Sequence, residues 1–338
     1  MTDLFGAPPP APASGKRASR SAVAPAAPDA RLLELAAALH ERYSARLHLG
    51  TSSWYFPGWA GLVWAGQPSQ PTLSRHGLEA YAQHPLLNTV SLDRAFYRPV
   101  DTATYARLAS QVGPDFRFVV KAAALVCDAT LRDPANGRAM LPNPQFLDPA
   151  TTLAQCVRPA VDGLGDKLGV LLFQISPLPA ELLVDLGALH ARFAALFDAV
   201  AAALPAGVLV ALEPRDPELL TPTLARLLKE RGLRCCLGLH DRMPAVEDQL
   251  AMQRALWPGD LVCRWNLQRG LRYTQARERW EPFDRIQAPD PATREALARV
   301  MAGTLKAGRR VFVTINNKAE GSAPLSVIAL AEALLALG

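Results

Sequence analysis

Short apolar segments that end in polar residues recur along this chain and constrain its fold more than any other feature. In residues 208–216 an unbroken apolar run leads into Glu213, Pro214 and Arg215. A run of this length that proline ends is typical of a strand buried on both faces, as in a parallel sheet. We therefore expect Glu213 and Arg215 at the carboxyl end of a buried strand.

Eight such runs alternate with helical patterns along the sequence. They cover residues 47–54, 87–92, 116–121, 167–174, 208–216, 234–239, 261–265 and 310–315. Alternation of this kind predicts right-handed crossovers and a parallel sheet. Eight units closed into a ring form a TIM (β/α)8 barrel, with its site at the carboxyl ends of the strands. A doubly wound open sheet is the alternative, although the sequence contains neither G-x-G-x-x-G nor G-x-x-x-x-G-K-[ST].

The amino-terminal segment differs in composition from the rest of the 338 residues. Residues 1–28 are rich in Pro, Ala, Ser and Arg, which cannot bury enough apolar surface to become ordered. We expect a disordered tail at 1–28 and a single α/β domain at 29–338. Leu4 and Phe5 in this tail resemble peptides that dock on bacterial sliding clamps, but the motif is too short to separate from an uninformative terminus.

Charge and cysteine content limit the partners and the compartment. A formal net charge of +5 permits binding to nucleic acid or other polyanions without indicating it. The five cysteines form no C-x-x-C pair, so we expect free thiols in a reducing, cytoplasmic compartment. The sequence shows no secretory signal and no apolar run close to the roughly 18 residues that a membrane span needs. No membrane partner is therefore expected.

Six motifs together resemble one known family. They are LGTSSWYFPGW (residues 49–59), LNTVSLDRAFYR (87–98), FRFVVKA (116–122), LGVLLFQISPLP (168–179), LVALEPRDPELL (209–220) and VFVTINNKAEGSAP (311–324). In this order they resemble the domain of unknown function 72 family, also called YecE-like, over residues 47–337. The resemblance implies a closed TIM barrel. It implies no activity, because the function of the family is itself unassigned.

Several polar positions depart from the usual pattern of that family. Ser91 stands where the family tends to have glutamate, and Asp93 where it has asparagine. Asp216 replaces a histidine, and Lys318 replaces an aspartate. These changes of charge and the missing imidazoles favour, as an alternative to an enzyme, a degenerate barrel that only binds.

The polar residues at the strand ends are the candidate site, with Glu213 and Lys121 as candidate catalytic residues. A carboxylate at a barrel mouth acts as a general acid or base, unless it only pairs with an arginine such as Arg215. A lysine there holds an anion or acts as an amine nucleophile, unless its stem merely snorkels. The candidate substrate-binding residues are Arg215, Gln174, Asn316, Asn317, Trp54, Tyr97, Arg264 and Asn266.

Two long loops are expected beside this site. Residues 128–149 contain four prolines and little periodicity, which is typical of a lid, a binding loop or an insertion. Residues 269–280 carry several arginines, which either contact phosphates or form a solvated basic loop.

The candidate residues predict an enzyme that acts on a small anionic substrate, with phosphate- or nucleic-acid-derived ligands compatible with its charge. The alternative is a non-catalytic module that binds nucleic acid or a protein partner. An open cavity lined by Glu213, Lys121 and Arg215 favours the enzyme, and a closed cluster of paired charges favours the module. No cofactor is expected. A metal site needs three or more converging ligands, and Glu213, His240 and Asp241 could converge. No metal is expected, however, because the family resemblance does not require His240 and the other histidines of that pattern are missing.

Overall fold

The apolar runs form the strands of one parallel sheet in the computed structural model, which describes residues 23–132 and 139–338. The strands are β1 (Leu47–Thr51), β2 (Thr89–Leu92), β3 (Arg117–Lys121), β4 (Thr130–Arg132), β5 (Ala139–Pro142), β6 (Leu168–Gln174), β7 (Leu209–Glu213), β8 (Arg234–Cys235), β9 (Leu237–Leu239), β10 (Leu261–Trp265) and β11 (Val311–Ile315). The order in the main sheet is β8-β7-β6-β3-β2-β1-β11-β10-β9, with parallel pairing throughout. Strands β4 and β5 form a separate antiparallel hairpin.

The sixth apolar run closes this sheet into a barrel, because it is split into two short strands that face different neighbours. Strand β8 pairs with β7, strand β9 pairs with β10, and only Cys236 separates the two. The amide of Cys236 donates to the carbonyl of Leu212 at 2.8 Å, which keeps the segment on β7 until it crosses to β10. The predicted TIM barrel is therefore confirmed.

Helices surround the barrel, and most of them follow the predicted helical patterns. They are α1 (Ala30–Tyr43), α2 (Gln70–His76), α3 (Leu78–Tyr81), α4 (Arg94–Tyr97), α5 (Thr102–Ala109), α6 (Ala124–Cys127), α7 (Pro149–Thr152), α8 (Arg158–Leu164), α9 (Ala180–Val184), α10 (Leu186–Ala203), α11 (Pro222–Glu230), α12 (Val246–Ala255), α13 (Tyr273–Trp280), α14 (Pro291–Lys306) and α15 (Ala323–Leu335). Short 3-10 turns lie at Ser44–Arg46, Pro57–Trp59, Gly165–Lys167 and Pro217–Leu219, and a π-helical turn lies at Leu153–Val157. Asp29 caps the start of helix α1, since its side chain accepts the amide of Leu32 at 2.8 Å.

One of the two expected loops is a helix. The prediction of a loop over residues 269–280 was wrong, because α13 occupies most of that segment. Ala276 and Trp280 are buried on its inner side and pack with Leu267 and Phe283 in a small apolar cluster. Only two residues of the helix are buried, which is too few to mark a helical period in a segment rich in polar residues. The other expected loop contains the β4–β5 hairpin, and residues 133–138 lie outside the described residues.

The described residues include a short segment before the expected domain boundary at residue 29. The amide of Ala26 donates to the carbonyl of Val63 at 3.0 Å, and the amide of Ala65 donates to the carbonyl of Ala24 at 2.9 Å. Residues 23–28 therefore lie along the loop that follows β1. Residues 1–22, which include Leu4 and Phe5, lie outside the described residues.

Helix α10 illustrates how the outer layer packs on the barrel. It is the one helix of the described chain that is long and apolar enough to cross a membrane by length and composition. Its Phe197 packs edge-on against Phe173 of β6, with ring centroids 5.4 Å apart. The length and composition of α10 are only weak evidence for a membrane span, because a helix packed on a protein core passes the same test.

All five cysteines are buried, and they are free thiols, as the sequence led us to expect.

Strands β1 and β2 approach each other closely at Gly50. A Cβ atom at Gly50 would lie 1.8 Å from the carbonyl oxygen of Thr89, so Gly50→Ala forces the two strands apart. We expect this change to lower the free energy of unfolding by about 3 kcal/mol, as measured by urea denaturation.

Gly303→Ala is the matched control for this substitution. Gly303 lies inside α14 with no atom within 4 Å of the added Cβ. This change should raise the free energy of unfolding by about 0.5–1 kcal/mol, because alanine favours the helix. Equal stabilities of the two variants would contradict the tight contact between β1 and β2.

Candidate functional site

A layer of polar side chains lies above the apolar interior of the barrel. The interior core consists of Val119, Val170, Leu172, Leu209, Ala211, Cys236, Val262 and Phe312. Because side chains alternate along a strand, the residue two positions later faces the same interior. These later positions hold Lys121, Gln174, Glu213 and Arg264, at the carboxyl ends of their strands. The sequence alternation therefore gathers the predicted strand-end residues at one end of the barrel.

Glu213 is fully buried at the centre of this layer and forms two ion pairs. Its Oε1 lies 2.7 Å from Nη2 of Arg215, and its Oε2 lies 2.7 Å from Nη1 of Arg264. Burial raises the pKa of this carboxyl, but the charges of Arg215, Arg264 and Lys121 outweigh it and lower the pKa to about 2. Glu213 is therefore ionised at neutral pH and fixes the positions of both arginines.

Arg264 connects Glu213 to a second carboxylate. Its Nη2 donates to both oxygens of Asp93, at 2.8 and 2.7 Å. Gln174 joins the two arginines, since its Oε1 accepts from Arg215 at 2.7 Å and from Arg264 at 3.2 Å. Burial lowers the pKa of Arg264, but Asp93 and Glu213 raise it above its usual value. Two carboxylates and two guanidinium groups thus form one network.

Lys121 differs from these charged neighbours because its amine has no polar partner. Its side chain is only 6% exposed, and Nζ lies 4.1 Å from the centroid of the Phe96 ring. Within residues 23–132 and 139–338, no group forms a hydrogen bond or ion pair with this Nζ. Burial and the charge of Arg264, which outweigh the attraction of Asp93, lower the pKa of Lys121 to about 8.

The network borders an open cavity of about 240 Å³ at the mouth of the barrel. The predicted site residues that line it are Lys121, Gln174, Arg215, Arg264, Asn266, Asn316 and Tyr97. Glu213 lies beneath them, where Asn266 donates to its Oε1 at 3.4 Å. The geometry combines both arrangements expected from the sequence, an open cavity and a cluster of paired charges below it.

Two predicted residues lie away from the cavity lining. Asn317 accepts the indole N–H of Trp59 at 3.1 Å and the amide of Ala323 at 2.8 Å, so it supports the start of α15. Trp54 is 2% exposed, and its indole N–H donates to the carbonyl of Leu73 at 3.1 Å. The contacts of both side chains are those of packing residues.

Six further residues line the cavity and were not among the catalytic or substrate-binding candidates. They are Asp93, Phe96, Pro177, His240, Arg242 and Tyr273. Asp93 and His240 continue the two-residue alternation beyond β2 and β9, so the strand pattern contained a signal for them. The other four lie on segments beyond the strands, where that alternation no longer applies.

His240 is neutral at pH 7 in this environment. Burial and the charge of Arg215 lower its pKa to about 4, although the neighbouring Asp241 opposes this shift. Nδ1 of His240 contacts the Asp241 carboxylate. Among the described residues, no group of three or more His, Cys, Asp or Glu side chains is arranged to hold a metal ion.

A second concavity lies outside the barrel, away from the network of ionised residues at the strand ends. It has a volume of about 340 Å³ and lies between α12 and α14. Its lining includes Leu250, Leu256 and Trp257. The barrel mouth, where ionised groups converge from several strands, is therefore the candidate site.

Comparisons with known proteins agree with this fold. A family model described as "Protein of unknown function DUF72" matches residues 48–337. A DUF72 family protein from Enterococcus faecalis V583 is 16% identical with a TM-score of 0.55, and the match covers 85% of this chain and 95% of that one. A DUF72 family protein from Thermotoga maritima MSB8 is 15% identical with a TM-score of 0.55, covering 85% and 98%. These structural likenesses show the fold alone. The search of curated proteins found no match.

The buried ion pairs predict the effect of Glu213→Gln on stability. Removing the charge leaves two buried guanidinium groups undercompensated, so the free energy of unfolding at pH 7 should fall by about 3 kcal/mol. Folding lowers the pKa of Glu213 from 4.5 to about 2. The ionised carboxylate therefore contributes fully to the free energy of unfolding above pH 4.5, and this contribution disappears as the pH falls towards 2. Urea denaturation at several pH values should therefore show a difference from the unmodified protein that shrinks below pH 4.5.

Glu332→Gln provides the control for this experiment. Glu332 pairs with Arg31 at the surface, where both side chains are substantially exposed. The change should cost less than about 1 kcal/mol. A Glu213→Gln protein as stable as this control at pH 7 would show that the buried pairs are dispensable.

Proposed function

We propose a function for this chain, which belongs to the DUF72 family of proteins of unknown function: it is an enzyme that acts on a small anionic substrate at the barrel mouth. The observation that supports this proposal most is the unpaired, buried amine of Lys121 beside Arg215 in an open cavity. A protein that needs this lysine only for folding gains little from a buried charge without a partner. A reactive group for a ligand is the better explanation.

The charge balance favours an anion. The cavity lining contains the basic residues Lys121, Arg215, Arg242 and Arg264, and one carboxylate, Asp93. With the buried carboxylate of Glu213 included, basic groups still exceed acidic ones by four to two. Arginine binds carboxylate and phosphate through parallel hydrogen bonds. Arg215 lines the cavity, and its Nε has no hydrogen-bond partner among the described residues.

The size of the cavity favours a small molecule over a polymer. A volume of about 240 Å³ lies at or below the usual range for cavities that hold a drug-sized ligand. Two aromatic residues of the lining are well exposed, Tyr97 at 84% and Tyr273 at 55%. They provide apolar surface at the cavity for the uncharged part of the substrate.

The residues take different roles in this proposal. Lys121 meets the substrate, and Arg215 and Arg242 hold its charge. Both carboxylate oxygens of Glu213 are engaged by arginines, so its contribution is to position them. The role of Glu213 as a general acid or base stays a prediction that this geometry does not favour, because a pKa of about 2 makes the group a weak base.

A non-catalytic binding module is the second candidate function. The mutual pairing of Glu213, Arg264 and Asp93 supports it, since these groups neutralise one another. The two candidates share an anion site and differ in whether the bound molecule is chemically changed.

The anion site predicts the effect of Arg242→Gln on phosphate binding. Arg242 lines the cavity with an exposed side chain, so its replacement should leave folding unchanged. The loss of one charge-assisted hydrogen bond, about 1.5–3 kcal/mol, should weaken binding of inorganic phosphate by roughly tenfold or more in isothermal titration calorimetry. Arg226→Gln on the exposed face of α11 is the control and should bind as the unmodified protein does. Equal affinities of the two variants would place the phosphate elsewhere.

Turnover separates the enzyme from the binding module. We expect the full chain, incubated with a mixture of small phosphorylated and carboxylated metabolites, to consume at least one compound and form a product. Lys121→Met, which removes the amine but keeps a side chain of similar length, should abolish that conversion. Mass spectrometry after denaturation measures both. If every compound is recovered unchanged while inorganic phosphate still binds, the result contradicts the enzyme and favours the binding module.

A further inference from the structure

We propose that Lys121 forms an imine with the carbonyl carbon of its substrate, so that the substrate class is small aldehydes or ketones that also carry a carboxylate or phosphate. This inference rests on the proposed function, because it assigns a chemistry to the same cavity.

The surroundings of Lys121 leave its nitrogen available for a covalent bond. Phe96 covers one side of the amine with its ring face. The other charged groups that Lys121 faces are the network residues Asp93, Glu213, Arg215 and Arg264, which pair with one another. Lys121 is one of the residues that line the open cavity, from which a carbonyl group can approach its amine. A lysine that served only as a charged anchor would be expected to contact a carboxylate instead.

The amine is also substantially deprotonated near neutral pH. With a pKa of about 8, about one tenth of the molecules carry the neutral amine at pH 7. That fraction is roughly 300-fold larger than for a lysine with the usual pKa of 10.5. Only the neutral form has the lone pair that attacks a carbonyl carbon. Burial near two arginines therefore prepares the nitrogen for addition.

The arginines of the cavity explain why the carbonyl compound should be anionic. Arg264 is 1% exposed, and its Nη1 and Nη2 already donate to Glu213 and Asp93, so these terminal nitrogens are not available to a ligand. Arg215 retains an unpartnered Nε, and Arg242 lies on the exposed side of the cavity. These two groups recognise a carboxylate or a phosphate beside the carbonyl.

The reaction balances without an oxidant or a reductant. The neutral amine adds to the carbonyl carbon, a C–N bond forms, and the amine proton moves to the former carbonyl oxygen. The resulting carbinolamine takes up one proton and loses its hydroxyl group as water, which breaks the C–O bond and leaves a protonated imine. The proton released when the ammonium group becomes an amine replaces the one consumed. The net reaction converts a ketone or aldehyde and a lysine ammonium into a protonated imine and water.

Lys318 is a natural comparison for Lys121. Burial, together with the charge of Arg277, also lowers the pKa of Lys318 to about 8. Its Nζ is engaged, however, because it donates to Oδ1 of Asn316 at 3.3 Å and lies 4.0 Å from the ring centroid of Tyr273. If pKa alone decided reactivity, the two lysines would react alike. If an open approach from the cavity decides it, Lys121 reacts faster.

Reductive trapping tests the imine. The full chain is incubated near pH 7 with sodium cyanoborohydride and either glyoxylate, a carboxylated aldehyde, or dihydroxyacetone phosphate, a phosphorylated ketone. Peptide mapping by mass spectrometry then gives the labelling rate of every lysine. We expect Lys121 to be labelled at least about tenfold faster than Lys318 and than Lys229, which lies exposed on α11. For each probe, the rate at Lys121 is divided by the rate at Lys229, because an aldehyde reacts faster than a ketone with any lysine. The probe with the larger ratio identifies the preferred anionic group, and excess inorganic phosphate should slow the labelling of Lys121.

The results separate the imine from the proposed anion site. Labelling of Lys121 no faster than that of Lys318 overturns the imine. If inorganic phosphate nevertheless binds and Arg242→Gln weakens it, the anion site stands without the imine. Absence of both labelling and phosphate binding removes both proposals. Lys121→Met should lose the fast label while it still unfolds cooperatively in urea and keeps the labelling rate of Lys229, which excludes an effect of misfolding.

Discussion

The burial of Glu213 between two arginines is the interaction on which the barrel mouth depends. A buried carboxylate alone would cost several kcal/mol, and its attraction to Arg215 and Arg264 offsets this only because both contacts are short. Arg264 then reaches Asp93, which follows β2. Groups from β2, β7 and β10 are thus joined across the barrel interior. Moving any one of these strands would expose an unpaired charge, so the network constrains the shape of the cavity above it.

The strand pattern was predictable because a parallel barrel buries both faces of each strand. Each strand therefore appears in the sequence as a continuous apolar run, and these runs are the eight that form the barrel. The break at Cys236 was not predictable, since residues 234–239 contain no proline or polar residue that marks it. The break comes from the geometry of closure, which the sequence of one segment does not contain. Helix α13 was missed for a different reason, because packing against Leu267 and Phe283 stabilises it more than its own pattern does.

The candidate site was predictable as far as the strand alternation extends. Neighbouring residues on a strand face opposite sides, so Asn316 and Asn317 cannot both line the same cavity while they continue that alternation. The structure places Asn316 at the cavity and Asn317 against Trp59. The same rule would have added Asp93, two residues after the buried Ser91. Arg242 and Tyr273 lie on loops or helices, whose paths depend on packing that one sequence does not specify.

The contrast between Glu213 and Lys121 connects the network to function. Both side chains lie in the same layer of the barrel, yet the network satisfies the carboxylate completely and leaves the amine unpaired. A stable fold requires only that the buried charges be compensated, and a lysine in contact with Asp93 would have met that requirement. Arg264 instead occupies both oxygens of Asp93, which keeps that carboxylate away from Lys121. The pairing of the arginines with the carboxylates therefore leaves the amine without a polar partner among the described residues, while burial lowers the pKa of Lys121. Both effects favour a nucleophile at the barrel mouth.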